Sequence, residues 1–147
     1  MTFRLLAAVA LAVWTAGLVH RVSAEQGTTT WGGVYTEAQA KSGSEAYRKN
    51  CSECHLEDMA GDGFAPPLKG PEFMNNWNAL TVGDLFERLR VSMPPSNPSS
   101  VTAKEKADIV AYILKSAGFP AGTTELATQT EPLKAIKFEA TKPPAND

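Results

Sequence analysis

The stretch that decides how this chain is read is Cys51-Ser52-Glu53-Cys54-His55. Two thiols at this spacing have several chemistries open to them. They can close a disulfide in an oxidising compartment, form a thioredoxin-like redox pair beside a βαβ pattern, or make half of a zinc site where further Cys or His ligands exist. The context for the last two is missing, since the chain has 2 cysteines and 2 histidines in all and no convincing alternating strand before residue 120. The histidine directly after the second cysteine points elsewhere. It completes the c-type haem attachment pattern, in which both thiols add to haem vinyl groups and the adjoining imidazole coordinates iron. One turn of chain brings both thiols to one edge of a porphyrin, and the next residue then projects its imidazole under the metal. The expected cofactor is one covalent haem c, held by Cys51 and Cys54, with His55 as an iron ligand.

His20 lies in a segment that reads as a signal peptide, so His55 is the sole histidine expected in the mature chain. Methionine, lysine, water or an open site remain for the face opposite it. Beyond Met1 the sequence offers Met59, Met74 and Met93. Met59 stands 4 residues past His55, a tether too short to round the porphyrin edge easily. Met74 adjoins Asn75, Asn76 and Trp77, groups suited to hydrogen-bonding haem propionates. Met93 is 38 residues downstream, at the end of an expected helix, with Pro94 and Pro95 stiffening the backbone behind it. Met93 is therefore the expected sixth ligand, against the plainer reading of ordinary core filling.

At the N-terminus, Arg4 is followed by the apolar run Leu5 to Val19 and by Val22-Ser23-Ala24, a small-residue cleavage site. The apolar run is shorter than the roughly 20 residues a membrane span needs. Residues 1–24 thus read as a signal peptide, with periplasmic export and no stable membrane span after cleavage. Removing Arg4 and Arg21 from the 14 basic residues leaves 12 against 16 acidic ones, a net charge of −4, which argues against a nucleic-acid partner.

The rest divides into a lead-in over 25–35, a domain over 36–120 and a C-terminal extension over 121–147. Thr36 with Gln39 opens a helix to Asn50 in a capping-box pattern, and Gly43 within it marks a close approach of another backbone. Residues 56–71 hold three glycines and three prolines and read as an irregular loop lined by Phe64 and Leu68. Thr81 and Asp84 start a helix to Val91 that turns Leu85, Phe86 and Leu89 inward. Thr102 and Glu105 start the clearest helix, to Ala117, with Ile109, Val110, Tyr112, Ile113 and Leu114 as its apolar face. In the extension, Leu126, Leu133, Ile136 and Phe138 are too apolar for a free tail, and the last residues are expected to be disordered.

These motifs, in this order, resemble the class I cytochromes c over roughly Thr36 to Pro120: attachment motif after a first helix, Met93-Pro94 in a late loop, and Asp108 to Leu114 in a final helix. The resemblance implies an all-α fold of three to five helices with long loops around one haem, in which the final helix crosses the first with Gly43 near Tyr112 and Tyr47 near Ile109. The wording of Ala65 to Gly70, Phe73 to Trp77 and Phe119 to Gly122 is most similar to cytochrome domains that serve pyrroloquinoline quinone alcohol dehydrogenases. It implies that the Pro66 carbonyl accepts the His55 ring N–H, that Leu68 packs on the haem, and that Trp77 belongs to the cofactor's surroundings. Many relatives carry Gly after the motif histidine, where this chain has Leu56.

The function implied is single-electron transfer without catalysis, between a quinoprotein dehydrogenase or similar donor and an acceptor such as a terminal oxidase. The alternatives are a haem subunit held tightly in an oxidoreductase complex, or a haem enzyme or gas sensor with an open iron site. A dihaem peroxidase would need a second attachment motif, which the sequence lacks. Arg88, Arg90 and Lys69 form a possible positive docking patch, with Glu53, Glu57, Asp58 and Asp62 acidic nearby.

Overall fold

Helix α1 spans Glu37–Asn50 because Thr36 leaves the helix in extended conformation and its hydroxyl accepts the Gln39 N–H at 3.0 Å. This and the other geometry come from a computed structural model that describes residues 28–144; the expected signal peptide and residues 145–147 lie outside the described residues. The second half of the Thr36 capping box is not made. The buried Gln39 amide instead donates to the Leu126 carbonyl at 3.1 Å and accepts the Leu126 N–H at 2.8 Å. A buried amide must satisfy both its ends, and a backbone unit offering donor and acceptor together does so. The extension is thereby tied to the first helix.

Helix α2 is the single turn Ser52–His55, α3 runs over Gly70–Trp77, α4 over Val82–Ser92, α5 over Ala103–Ser116, and α6 is the single turn Thr130–Leu133. Among the described residues there is no strand, only isolated bridges from Lys137 to Thr29 and Thr81. The fold is all-α, and its four helices of eight residues or more fall within the expected three to five. Complete capping boxes start α4, through Thr81 and Asp84, and α5, through Thr102 and Glu105. Helix α3 was not signalled by the sequence. Its N-cap, Lys69, makes no side-chain cap, and only Phe73 is buried along it, so neither cap nor apolar stripe marks it.

Helices α1 and α5 cross at Gly43, where a Cβ atom would fall 1.8 Å from the Asp108 carbonyl oxygen and 3.0 Å from Tyr112 Cβ. One turn on, the buried Tyr47 ring meets Tyr112 edge to face at 5.5 Å. Ile109, Val110, Ile113 and Leu114 are buried on the same helix, and from α4 so are Leu85, Phe86 and Leu89. After residue 120 the chain returns over the domain. Leu126, Leu133 and Phe138 are buried, and the Phe138 ring lies between Phe73 at 5.8 Å and Phe119 at 5.1 Å. Lys137 closes the circuit, its N–H donating to Thr28 and its carbonyl accepting from Thr30, both at 2.9 Å.

The loop after α2 departs from expectation in one respect. Phe64 does not line it but stands 100% exposed. Asp62 Oδ1 accepts the N–H groups of Phe64 at 2.9 Å and Ala65 at 2.7 Å, a tight turn at whose outer edge the ring stands. Leu68 is half-buried against the core. At the head of the loop, Leu56 adopts φ 62° and ψ 160°, a region that is essentially glycine's alone. The Tyr47 hydroxyl donates to the Leu56 carbonyl at 2.7 Å and holds it there.

Two stability measurements follow. Gly43→Ala should lower the unfolding free energy by about 1–3 kcal/mol in denaturant titration, because its methyl group has no room at the crossing. An unchanged midpoint would mean that the helices do not pack this closely. At position 56, comparing Leu56→Gly with Leu56→Ala separates torsion from lost side-chain burial. Ordinarily glycine is the less stable of such a pair by about 0.4–1 kcal/mol. Here glycine should be the more stable by about 1 kcal/mol, since it alone is unstrained at this torsion. The ordinary order would show that Leu56 is unstrained.

Candidate functional site

The turn that carries the motif begins where α1 ends. Cys51 leaves the helix with φ −131° and ψ −29°, and its N–H still donates to the Tyr47 carbonyl at 2.8 Å. Its own carbonyl accepts from Cys54 at 3.3 Å and from His55 at 3.0 Å. Both thiols and the imidazole therefore sit on one turn of α2. The thiols are not joined; Cys51 is half-buried against the core and Cys54 is exposed.

Burial pushes the Cys51 thiol up to about 11, with repulsion from Cys54 adding to the shift and Lys106 opposing it. A dithiol redox centre needs the reverse, a thiol lowered toward neutrality. Among the described residues no three His, Cys, Asp or Glu side chains converge as a metal-binding group. The zinc reading of the motif loses its geometric basis, and a thiol raised by burial argues against the redox pair.

His55 is buried, and its Nδ1 lies 2.9 Å from the Pro66 carbonyl oxygen. A carbonyl can only accept, so Nδ1 carries the proton and Nε2 keeps a free lone pair. The loop is folded back to make this contact by its own backbone: Met59 N–H to Leu56 at 3.1 Å, Gly61 N–H to His55 at 3.1 Å, and Leu68 N–H to Met59 at 2.9 Å. Gly61 is required there, with φ 73° and a Cβ position only 2.3 Å from the Ala65 carbonyl oxygen.

The three methionines are placed differently. Met59 is 1% exposed and belongs to the core, and Met74 packs against that core beside half-buried Trp77 and Leu68. Met93 is half-buried yet is not among the side chains packed on the core cluster. It caps the end of α4 in extended conformation, and the Met93–Pro94 peptide is cis. Two unjoined thiols one turn apart, an imidazole with one nitrogen committed and the other free, and a thioether outside the core make a donor set that fits a covalently attached haem.

Around this set, Arg90 is not a free cation: it donates to Glu87 at 2.7 and 2.5 Å. The Arg90 hydrogen bond, helped by the Thr130 hydroxyl, holds the Glu87 carboxyl down at about 2. Backbone N–H groups of Ala65 and Phe64 likewise lower Asp62. Arg88 and Lys69 are exposed. The sequence reading missed Lys106, which is 3% exposed with its Nζ donating to the carbonyls of Arg90 at 3.1 Å and Pro98 at 2.7 Å. Helical spacing could have found it, since Lys106 stands three and four residues before the buried Ile109 and Val110.

The family model described as cytochrome c oxidase, cbb3-type, subunit III matches residues 38–113, just over half of the 147-residue chain. No curated protein and no solved structure matches. The matched stretch contains the attachment motif, Pro66, Leu68, Trp77 and Met93. No helix among the described residues is long and apolar enough to cross a membrane. A haem-based, electron-transferring role and covalently bound haem c follow from the match, and with them the all-α architecture finds its reason: the chain belongs to the cbb3-type cytochrome c oxidase subunit III family of cytochrome c domains.

Proposed function

We propose that this chain is an exported, monohaem cytochrome c that carries single electrons in the periplasm between a dehydrogenase and a terminal acceptor. Cys51 and Cys54 would tether the haem, and His55 and Met93 would hold its iron. The observation that carries the reading is the His55 to Pro66 contact at 2.9 Å, beside two unjoined thiols on the same turn. Bound haem supplies a one-electron iron couple, and His/Met ligation suits a carrier because both ligands persist in both oxidation states. The chain's own residues do the rest. Pro66 fixes the tautomer and ring orientation of His55, Leu68 and Trp77 would pack against the cofactor, and Met93 would supply the second iron ligand. Among the three methionines it is the one left outside the core.

A quinoprotein dehydrogenase is the proposed donor and a terminal oxidase the proposed acceptor, on the similarity of the Ala65 to Gly70 and Phe73 to Trp77 stretches to cytochromes of that kind. The description of the matched family favours a second reading, a haem subunit held in an oxidase complex. The extension weighs against it, because Leu126, Leu133 and Phe138 are buried on the chain's own domain and are not left over for docking. The cytochrome should come away alone when its membranes are washed without crosslinker; co-elution with an oxidase through successive columns would favour the complex.

Two variants series test the site. Haem should remain with the chain in denaturing gel electrophoresis, and Cys51→Ala or Cys54→Ala should weaken that retention. A stable haem-free protein with a Cys51–Cys54 disulfide as the active form would sink the reading. For the sixth ligand, Met93→Ala should abolish the near-infrared sulfur-to-iron absorption of the ferric protein, lower its reduction potential and open the iron to carbon monoxide, whereas Met74→Ala should leave the absorption in place. Its survival in Met93→Ala would overturn the assignment.

A further inference from the structure

Lys106 is a cation inside the protein with no carboxylate beside it. Its relative exposure is 3%, and no ion pair of the described residues includes it. The charged and titratable groups acting on it are the Arg90 guanidinium and the Cys51 thiol. A buried ammonium is tolerated when its hydrogens are taken up by acceptors, and here two backbone carbonyls serve, Arg90 at 3.1 Å and Pro98 at 2.7 Å.

Those two carbonyls bracket one short segment. Arg90 lies in the last turn of α4, Pro98 begins the 3₁₀ turn Pro98–Ser100, and Met93 lies between them. The Arg90 carbonyl would ordinarily receive the N–H four residues on, but that residue is Pro94 and has none. The Lys106 ammonium fills the gap with a charge-assisted bond and reaches across to Pro98 with a second. Between the end of α4 and the 3₁₀ turn the backbone bonds are few, Met93 N–H back to Leu89 and Asn97 N–H to Pro94, both at 3.2 Å. The segment is thus held from outside, by a side chain of α5.

We propose that Lys106 is a positioning residue for the sixth iron ligand: its ammonium clamps the two ends of the Arg90–Pro98 segment and so keeps the Met93 sulfur in place over the haem. The clamp rests on the reading of Met93 as ligand. It acts through geometry, since the lysine is not itself a ligand in this arrangement.

The test compares holo wild type, Lys106→Met and Met93→Ala. Lys106→Met keeps length and apolar stem while removing charge and donors. Its ferric form should lose the sulfur-to-iron absorption at a lower guanidinium concentration than wild type while far-ultraviolet helix signal persists. Its ferrous form should bind carbon monoxide on the order of tenfold faster, the scale expected for losing hydrogen bonds to a charged group. Absorption and carbon monoxide binding unchanged in Lys106→Met, with the absorption gone in Met93→Ala, would overturn the clamp alone. Absorption retained in Met93→Ala would overturn the ligand reading and the clamp with it. Should Lys106→Met fail to fold, nitrogen-15 NMR of the ferrous wild type decides the matter: the Lys106 ammonium should exchange slowly and show couplings across hydrogen bonds to the Arg90 and Pro98 carbonyl carbons, and a fast-exchanging ammonium without them refutes the proposal.

Discussion

Where α1 and α5 cross, the carbonyl oxygen of Asp108 occupies space that a side chain at position 43 would need, 1.8 Å from where its first carbon would be. The rest of the site is measured from that contact. Helix α1 ends seven residues later, at Asn50, where the attachment turn begins, so its approach to α5 sets where Cys51, Cys54 and His55 stand relative to the core. On the other helix, Lys106 precedes Asp108 by two residues, which aims it toward the end of α4 and the segment bearing Met93. One close backbone approach thereby fixes both the element that ends in the attachment turn and the element that holds the segment bearing Met93. The edge-to-face pair of Tyr47 and Tyr112 keeps the crossing from sliding, and the Tyr47 hydroxyl carries the same restraint into the loop at Leu56.

The loop from Leu56 to Lys69 reaches its shape by satisfying backbone groups locally. His55, Leu56 and Met59 carbonyls are all taken by amides within the loop, and the Pro66 carbonyl is taken by the His55 ring. Orientation of the imidazole is thus a product of chain geometry and does not need the cofactor to impose it, which reduces the ordering left to be done when the group is bound. Raising the Cys51 thiol by burial has a related effect: at neutral pH it stays protonated and is a poor partner for thiol–disulfide exchange.

How far this was legible in the sequence depended on whether the information was contiguous. The attachment motif and the helices α1, α4 and α5 announce themselves through neighbouring residues: Thr36, Thr81 and Thr102 at their starts, and apolar spacing behind them. Helix α3 gives no such signal, because a proline in its first turn and a bare N-cap look like more of the preceding loop. Phe64 was misread since apolar character says nothing about direction, and direction there is set by the Asp62 turn. Gln39 was read as half of a capping box because its true partner, Leu126, is 87 residues away. Lys106 was missed for the same kind of reason, its role resting on carbonyls in two other elements. Met93 is an intermediate case: its distance from His55 and its prolines single it out locally, while its separation from the core needs coordinates.

The return of the chain after residue 120 bears on how the domain assembles. Trp31 Nε1 donates to the Glu139 carbonyl across 108 residues of sequence, and Thr30, Thr28 and Lys137 pair alongside. Contacts of that span are the slowest to close, since the entropy of joining distant chain must be lost before the contact is gained. Phe73 receives the Phe138 ring, and Gly83 receives the backbone of Lys134, only once that closure is made. The stretch shared with the family, 38–113, therefore does not by itself complete the core of this protein. Native packing around Phe73 on α3 is completed by Phe138 near the end of the described residues, and a chain cut at the family boundary would lose that cover over an apolar ring.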